Sequence, residues 1–403
     1  MTHEGSSMRR MRRLCLVTET FPPEVNGVAM TLQRLCREWV RRGIEVQVVR
    51  PRQAREREAG GGRPWEELQV GGFPIPEYPE ARIGAWACGR LRRAWGERRP
   101  DWVHIATEGL LGWSARRAAQ GLGIPLVTSF HTNFHDYAQH YGVGLLRPVV
   151  AAYLRAFHNG GSLCLVPDEE LRQELEALGI RRTGRMGRGV DVGLFDPARR
   201  DPELRRSWGA GPEDPVVVHV SRAAAEKNIP LVIEAWRACR QRHPRCRLVL
   251  VGGGPEEAAL RRMCPEAVHA GMRFDEDLAR HYASGDLFFF ASETETYGNV
   301  VMEAMASGLA VLAYDYAAAG QHIRNGANGF TVAKGDREAF CRRGVELAWE
   351  VRALDRLRQE ARATAAGLPW SGVVDAYLGD VAALPAFQPA GDEPEATASA
   401  SAA

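Results

Sequence analysis

Short apolar runs alternate with longer amphipathic segments along the whole chain, the pattern of parallel βαβ units whose strands are covered on both faces. In the first half the runs fall at 14–17, 44–49, 102–105, 126–129 and 163–166. Helices are expected between them, among them 28–41 closed by Gly43, and 168–178 with Asp168 as N-cap and Gly179 as terminator. A sharper second series predicts strands at 216–220, 247–251, 268–270, 287–290, 310–313 and 330–332, with helices near 229–242, 256–263, 276–284 and 299–307. The segment 184–214 between the two series is rich in Gly, Asp, Pro and Arg and reads as a hinge or linker. The pattern predicts an α/β fold of two facing Rossmann-like domains, with a ligand in the interdomain cleft outside the carboxyl ends of the strands. The expected divisions are a basic tail at 1–12, a first domain at 13–185, a second at 186–369, a helix at 370–383 packing back toward the first domain, and a disordered tail at 384–403.

Composition narrows the function classes. With 403 residues, 45% hydrophobic and 25% charged, the chain is globular, and its formal net charge of +2 gives no electrostatic case for nucleic acid. Its eight cysteines form no C-x-x-C pair, which suggests neither a zinc knuckle nor a disulfide framework and fits a reducing, cytoplasmic setting. The apolar run after Arg9, Arg10, Arg12 and Arg13 stops at Thr18-Glu19, too short for a signal peptide, and no run approaches the roughly 20 apolar residues of a membrane span. Those arginines suit either an anionic lipid surface or a solvated tail. Only two of the 52 Lys+Arg positions, Lys227 and Lys334, are lysine. Coding bias accounts for the arginines, and the exceptions are either chance or sites where a guanidinium substitutes poorly.

Four strand ends carry candidate chemistry. Glu295 lies in the loop after 287–290 and Glu303 on the helix that follows, so two carboxylates face one cleft edge, suited to vicinal hydroxyls. The amides around Gly298, Asn299 and Val300 form a helix N-terminus that attracts phosphate; ordinary surface glutamates on a solvated helix are the competing reading. Arg222 and Lys227, after 216–220, make a diphosphate clamp or a solvated basic loop. Gly27 opens a helix after 14–17, either for close approach of a phosphate or as a simple turn. Gly252-Gly253-Gly254-Pro255 lacks a full G-x-G-x-x-G. His131 and His135 stand four apart, but H-E-x-x-H requires Glu where Thr132 stands, so His131 is read as a sugar contact or a buried histidine and no metal is expected. Asp275-Glu276-Asp277 matches a metal-binding D-x-D but is read as the acidic first turn of a helix. Val149, Tyr153 and Phe157 at four-residue spacing form either a core face or a face near lipid.

Arg222…Lys227 and Glu295-x7-Glu303, followed by Ala304-Met305-Ala306-Ser307-Gly308, resemble the retaining glycosyltransferases of family 4, which have the two-domain GT-B fold. The resemblance covers about residues 13–380. Phe21-Pro22-Pro23-Glu24-Val25-Asn26-Gly27 and Phe130-His131-Thr132-Asn133-Phe134 are similar to the branch of GDP-mannose-dependent α-mannosyltransferases and glycolipid-forming enzymes. It implies transfer of a hexose, first mannose from GDP-mannose and alternatively a UDP-sugar, onto a lipid-linked or glycan acceptor bound by the first domain. Arg222 and Lys227 would hold the donor diphosphate, Glu303 the ribose and Glu295 the sugar hydroxyls, helped by amides at Gly298, Asn299 and Val300. Gly27 would approach the phosphate, His131 the donor sugar, and Asp191, in Arg188-Gly189-Val190-Asp191, would lie at the domain junction. No cofactor or metal is implied; a place at the inner face of the cytoplasmic membrane is. Ser221, Gly253, Tyr297 and Ala310 depart from the common pattern, which bears on donor-base and sugar specificity. An NAD-dependent oxidoreductase, a sugar epimerase and a non-catalytic nucleotide-sugar sensor share parts of this pattern.

Overall fold

Valine, leucine and isoleucine runs too short for helices form the buried strands of two parallel sheets in the computed structural model of the chain. The structure describes residues 11–24, 26–53, 62–75, 78–131 and 147–387. In the first domain the strands are β1 (Arg13–Val17), β2 (Glu45–Pro51), β3 (Glu66–Val70), β6 (Trp102–Ile105), β7 (Leu126–Ser129), β8 (Leu163–Val166) and β9 (Thr183–Arg185), in the order β3-β2-β1-β6-β7-β8-β9. An antiparallel hairpin, β4 (Gly72–Ile75) with β5 (Tyr78–Gly84), is inserted after β3. The second sheet comprises β10 (Val216–Val220), β11 (Arg247–Val251), β12 (Val268–Gly271), β13 (Leu287–Phe290), β14 (Ala310–Tyr314) and β15 (Phe330–Val332), in the order β12-β11-β10-β13-β14-β15. Each order reverses once, between β1 and β6 and between β10 and β13. Such reversals leave a crevice at the strands' carboxyl ends, because the flanking helices depart to opposite faces.

Most expected elements lie within a residue or two of their positions. Helix Gly27–Arg41 is capped by Asn26, whose side chain accepts from Ala29 N, and closes before Gly43 at φ +75°; helix Glu169–Ala177 is capped by Asp168 and closes before Gly179 at φ +85°. Strands β3, β4 and β5 stand where no strand is expected, and three further segments differ from expectation. The supposed linker 184–214 begins with β9 and then packs onto the second domain, burying Phe195 and Trp208 in its core. Its Gly, Pro and Arg content hid these anchors: buried Arg205 donates to the carbonyls of Ser284, Gly211 and Asp214 and to Asp286, replacing regular strand pairing. Arg13, grouped above with a lipid-facing cluster, is buried in β1 and paired with Glu45 and Glu66. Order continues past 383, since Leu384 and Phe387 are buried and Phe387 meets Trp102 edge-on at 6.2 Å.

The chain passes between domains near Val190 and again near Pro369, and the two crossings pair, with Val190 N donating to Leu368 O at 2.9 Å. Helix Trp370–Ala382 then buries Trp370, Val374, Tyr377 and Val381 in the first domain, against a core that includes Trp39 and Trp102.

Candidate active site

Because β10 and β13 are neighbours at the order reversal, the loops leaving them lie side by side. The β10 loop passes through Arg222 to a short turn, Ala225–Lys227, and enters helix Ile229–Arg242; the β13 loop enters helix Asn299–Ala306 through Gly298. Gly298 has φ +87°, a conformation open to glycine at little cost, and this turn presents the first amides of the helix to the cleft. Glu293 N donates to Glu226 O at 2.8 Å, tying the two loops together. Lys227 Nζ lies 2.6 Å from Glu295 Oε1 and 3.4 Å from Thr294 O, both side chains being largely buried. An ammonium has three donors, so one remains for a ligand. Arg222 stays at the exposed rim, 2.6 Å from Glu226 Oε1. Glu303, on the second helical turn, accepts from the Tyr282 hydroxyl at 3.0 Å; burial raises its pKa against the opposing pull of that hydroxyl and of Arg34.

The glycine-rich loop after β11 serves this site by packing. A Cβ on Gly252 would stand 1.9 Å from Ser221 O, and one on Gly254 2.5 Å from Ala223 O, so only glycine lets this loop lie on the Arg222 loop. Ser221 has a partner of its own: His219 Nδ1–H donates to Phe289 O at 2.8 Å, leaving Nε2 to accept from the Ser221 hydroxyl at 2.7 Å. Burial holds His219 neutral, its pKa lowered to about 4. A crevice of about 320 Å3 beside these loops is lined by His219, Gly252, Glu257, Arg261 and His269. A smaller recess of about 200 Å3 lies against Glu295, Tyr297, Gly298 and Tyr316.

The first domain closes the opposite wall. Gly27 is exposed, with no atom within 4 Å of where a Cβ would stand, so a ligand has room beside it. His131 is only 4% exposed and meets the second domain through its carbonyl, which accepts from Thr296 Oγ1 at 3.1 Å. Both its ring nitrogens already have partners, Ser129 Oγ at 2.7 Å and Arg188 Nη2 at 2.8 Å. Asn299 Nδ2 donates to Thr31 Oγ1 at 3.3 Å, and Arg34 pairs with Asp191 at 2.6 Å, so helix Gly27–Arg41 meets the second domain through Thr31 and Arg34. Asp275 begins helix Asp275–Ala283 and Asp277 pairs with Arg273, an ordinary acidic first turn. His135 lies outside the described residues.

Two sequence profiles divide the chain at the domain junction: Glycosyltransferase Family 4 matches residues 25–192, and Glycosyl transferases group 1 matches 214–349. A GDP-mannose-dependent alpha-mannosyltransferase of Mycobacterium tuberculosis is 33% identical over 92% of this chain and 97% of its own length. The chain belongs to glycosyltransferase family 4. It is a glycosyltransferase of the GT-B fold. An alpha-monoglucosyldiacylglycerol synthase of Streptococcus pneumoniae is 27% identical over 75% of the chain and 71% of its own length. The crystal structure of Anabaena HepE in complex with UDP superposes with a TM-score of 0.74 at 18% identity, over 93% of this chain and all of that one, a likeness of fold.

The sequence points to the charged loop residues that the fold brings together here, Lys227 and Glu295, and not to the side chains packed around the cleft. Tyr282, Thr31, Arg34, Ser129, His104 and Tyr377 sit on regular elements, where a polar residue carries no local signature. For His104 and Ser129 the one available signal was a polar side chain inside a strand otherwise buried on both faces.

Proposed function

We propose that this enzyme transfers a hexose, mannose from GDP-mannose first, to a lipid-linked or glycan hydroxyl with retention of anomeric configuration. The observation that carries the reading is the convergence of Lys227 and Glu295 at the carboxyl ends of β10 and β13, beside a helix N-terminus. The GDP-mannose dependence of the mycobacterial relative supports the choice of donor. The donor diphosphate lies against Lys227, Arg222 and the amides of Asn299 and Val300, with Gly27 across the cleft; Glu303 accepts from the ribose hydroxyls, and Glu295 from those of the sugar. The crevice by His219 and Arg261 takes the base. As the bond from the anomeric carbon to the phosphate oxygen breaks, positive charge fixed at Lys227 and Arg222 stabilises the leaving diphosphate. The acceptor oxygen attacks from the same face, and its proton passes to the departing phosphate oxygen. His131 lies beside the donor sugar.

The test is a panel of GDP- and UDP-sugars scored for thermal stabilisation and slow donor hydrolysis, since ligand bound to the folded state raises the melting temperature. Lys227→Ala and Glu295→Ala are each expected to lower kcat about 100-fold or more with the fold intact. Near-normal turnover by both variants would overturn the site, UDP-sugar turnover alone would reassign the donor, and donor binding without any turnover would favour a sensor.

Peripheral contact of the first domain with an anionic membrane is supported by a rim of exposed apolar side chains. Phe73 (62% exposed) pairs across the β4–β5 hairpin with Ile83, Trp86 (56%) follows β5, Leu110 (50%) begins the helix Leu110–Gly121 that packs on β5, and Val149 (62%) is exposed on helix Arg147–His158, whereas Phe157 is buried. Arg90, Arg92 and Arg93 project from the adjoining helix, Cys88–Glu97, with no carboxylate partner among the described residues. No helix among the described residues is long and apolar enough to cross a membrane, so contact is from the surface. Flotation with anionic but not neutral liposomes, lost in a Phe73→Ser/Trp86→Ser double variant, is the expected result; no flotation with either would refute the contact.

A further inference from the structure

His131 stands in a buried polar chain that the diphosphate chemistry does not require. Its Nδ1 is 2.8 Å from Arg188 Nη2 and its Nε2 is 2.7 Å from Ser129 Oγ. Ser129 Oγ is in turn 2.7 Å from His104 Nε2, and His104 Nδ1 is 3.1 Å from the Tyr377 hydroxyl, which also accepts from Trp102 Nε1 at 2.9 Å. All six side chains are buried. The donor inventory gives the chain its direction. A guanidinium only donates, so His131 Nδ1 must accept, and the ring proton sits on Nε2 and is donated to Ser129. The Ser129 proton then goes to His104 Nε2, and His104 Nδ1–H is donated to Tyr377. A second proton on His131 would have to sit on Nδ1, directly against an arginine N–H.

The charges around the ring act in the same sense. Arg188 and His104 face it, while Tyr297 and Asp168 act on Arg188. No carboxylate among the described residues lies within ion-pair distance of His131 or Arg188. Burial first, then Arg188 and His104, push the His131 pKa well below the ordinary histidine value, and burial lowers that of His104 to about 3.

We propose that Arg188, Ser129, His104 and Tyr377 are positioning residues that hold His131 as the neutral Nε2–H tautomer at the cleft wall. This inference rests on reading His131 as a donor-site residue. Arg188 precedes the first crossing between domains and Tyr377 follows the second, so the ring is registered to both. Next to an anomeric centre developing positive charge, a ring barred from protonation adds no opposing charge at any pH where free histidine titrates.

The first measurement uses the wild-type enzyme, 15N-labelled at histidine and deuterated, with His131→Ala supplying the assignment. The expected spectrum has an unprotonated Nδ1 and a protonated Nε2 that stay unchanged from pH 5.5 to 7.5. Titration in that range, or a proton on Nδ1, would overturn the proposal. In Arg188→Met burial remains but the N–H that obliges Nδ1 to accept is gone, so the ring is expected to populate both neutral tautomers, with a proton appearing on Nδ1 in the 15N spectrum. A spectrum that keeps only the Nε2–H form in a folded variant would overturn it. Ser129→Ala spares the carbonyls of Met186 and Gly187, to which Arg188 Nη1 donates at 3.0 and 3.3 Å; it is expected to lower kcat about tenfold through a misplaced ring, and wild-type kcat there would count equally against the chain. If His131→Ala itself transfers sugar at the wild-type rate, the donor-site reading fails while the tautomer assignment stands.

Discussion

The two lysines illustrate how side-chain chemistry is selected in an arginine-rich chain. Lys227 holds its ammonium against Glu295 Oε1 and Thr294 O as a compact point charge, a geometry that a planar guanidinium fork does not reproduce. Lys334 instead lies over the Tyr316 ring, 4.8 Å from its centroid, and the Tyr316 hydroxyl donates to Ser292 O at 2.8 Å. A guanidinium stacks on such a ring as well as an ammonium does. Lys227→Arg should therefore impair GDP binding and turnover at least tenfold, whereas Lys334→Arg changes either less than twofold; equal effects in calorimetry and initial rates would mean that lysine at 227 is chance. Gly254 makes a separate prediction. With φ +156° and a Cβ that would meet Ala223 O, Gly254→Ala is expected to cost about 1–3 kcal/mol in denaturant unfolding. It should also weaken nucleotide binding, because the Arg222 loop must move.

At the scale of elements, the helix Trp370–Ala382 makes a long-range contribution to the first domain. It belongs to the chain's end, yet Tyr377 lies in the core formed by the earliest elements, and Phe387 seals the far side of Trp102. Phe387→Ala should lower stability by about 3–5 kcal/mol, read from urea unfolding, because its ring is 1% exposed. A second buried cluster joins helix Arg147–His158 to β6, β7 and β8: His158 meets Thr128, Cys164 and Glu108. Burial opposes protonation of His158, but Cys164 and Glu108 outweigh it and raise the pKa to about 9. The folded state thus binds this proton more tightly than the unfolded state. The stabilisation is complete below about pH 6.5 and is lost as pH rises through about 9. The melting temperature should fall over that interval, and His158→Gln should flatten the slope.

At the scale of the whole molecule, polar contacts at the domain junction among the described residues include the buried pair of His131 with Arg188 and the more exposed contacts of Arg34 with Asp191, Thr31 with Asn299, and Thr296 with the His131 carbonyl. Partly exposed pairs of this kind contribute about 0.2–1 kcal/mol each, little enough for donor binding to shift the domain arrangement. Arg34→Ala should leave the melting temperature nearly unchanged but weaken GDP binding severalfold and enlarge the radius measured by solution scattering. Acid acts on the whole chain through buried imidazoles. His104 and His219, with pKa lowered to about 3 and about 4, are neutral when folded, so their stabilisation is present above about pH 6.5 and is lost as pH falls toward those values. An acid limb in thermal denaturation that begins below pH 6.5, before most carboxylates titrate, is the expected signature.

The sequence by itself determined the two parallel sheets, most element limits and the charged groups at the strand ends. Those features are local: a strand covered on both faces must be continuously apolar, and a loop at its carboxyl end is the place where Lys227 or Glu295 can stand beside a ligand. The hinge reading of 184–214 failed because composition reports flexibility only where nothing is buried, and Phe195, Trp208 and Arg205 are. Tertiary structure alone decided which residues meet. Lys227 and Glu295 are 68 positions apart, His104 and Tyr377 are 273 apart, and His131 and Arg188 are 57 apart. Partners so distant are joined by strand order and by the helix that returns to the first domain, neither of which leaves a periodic trace in the chain.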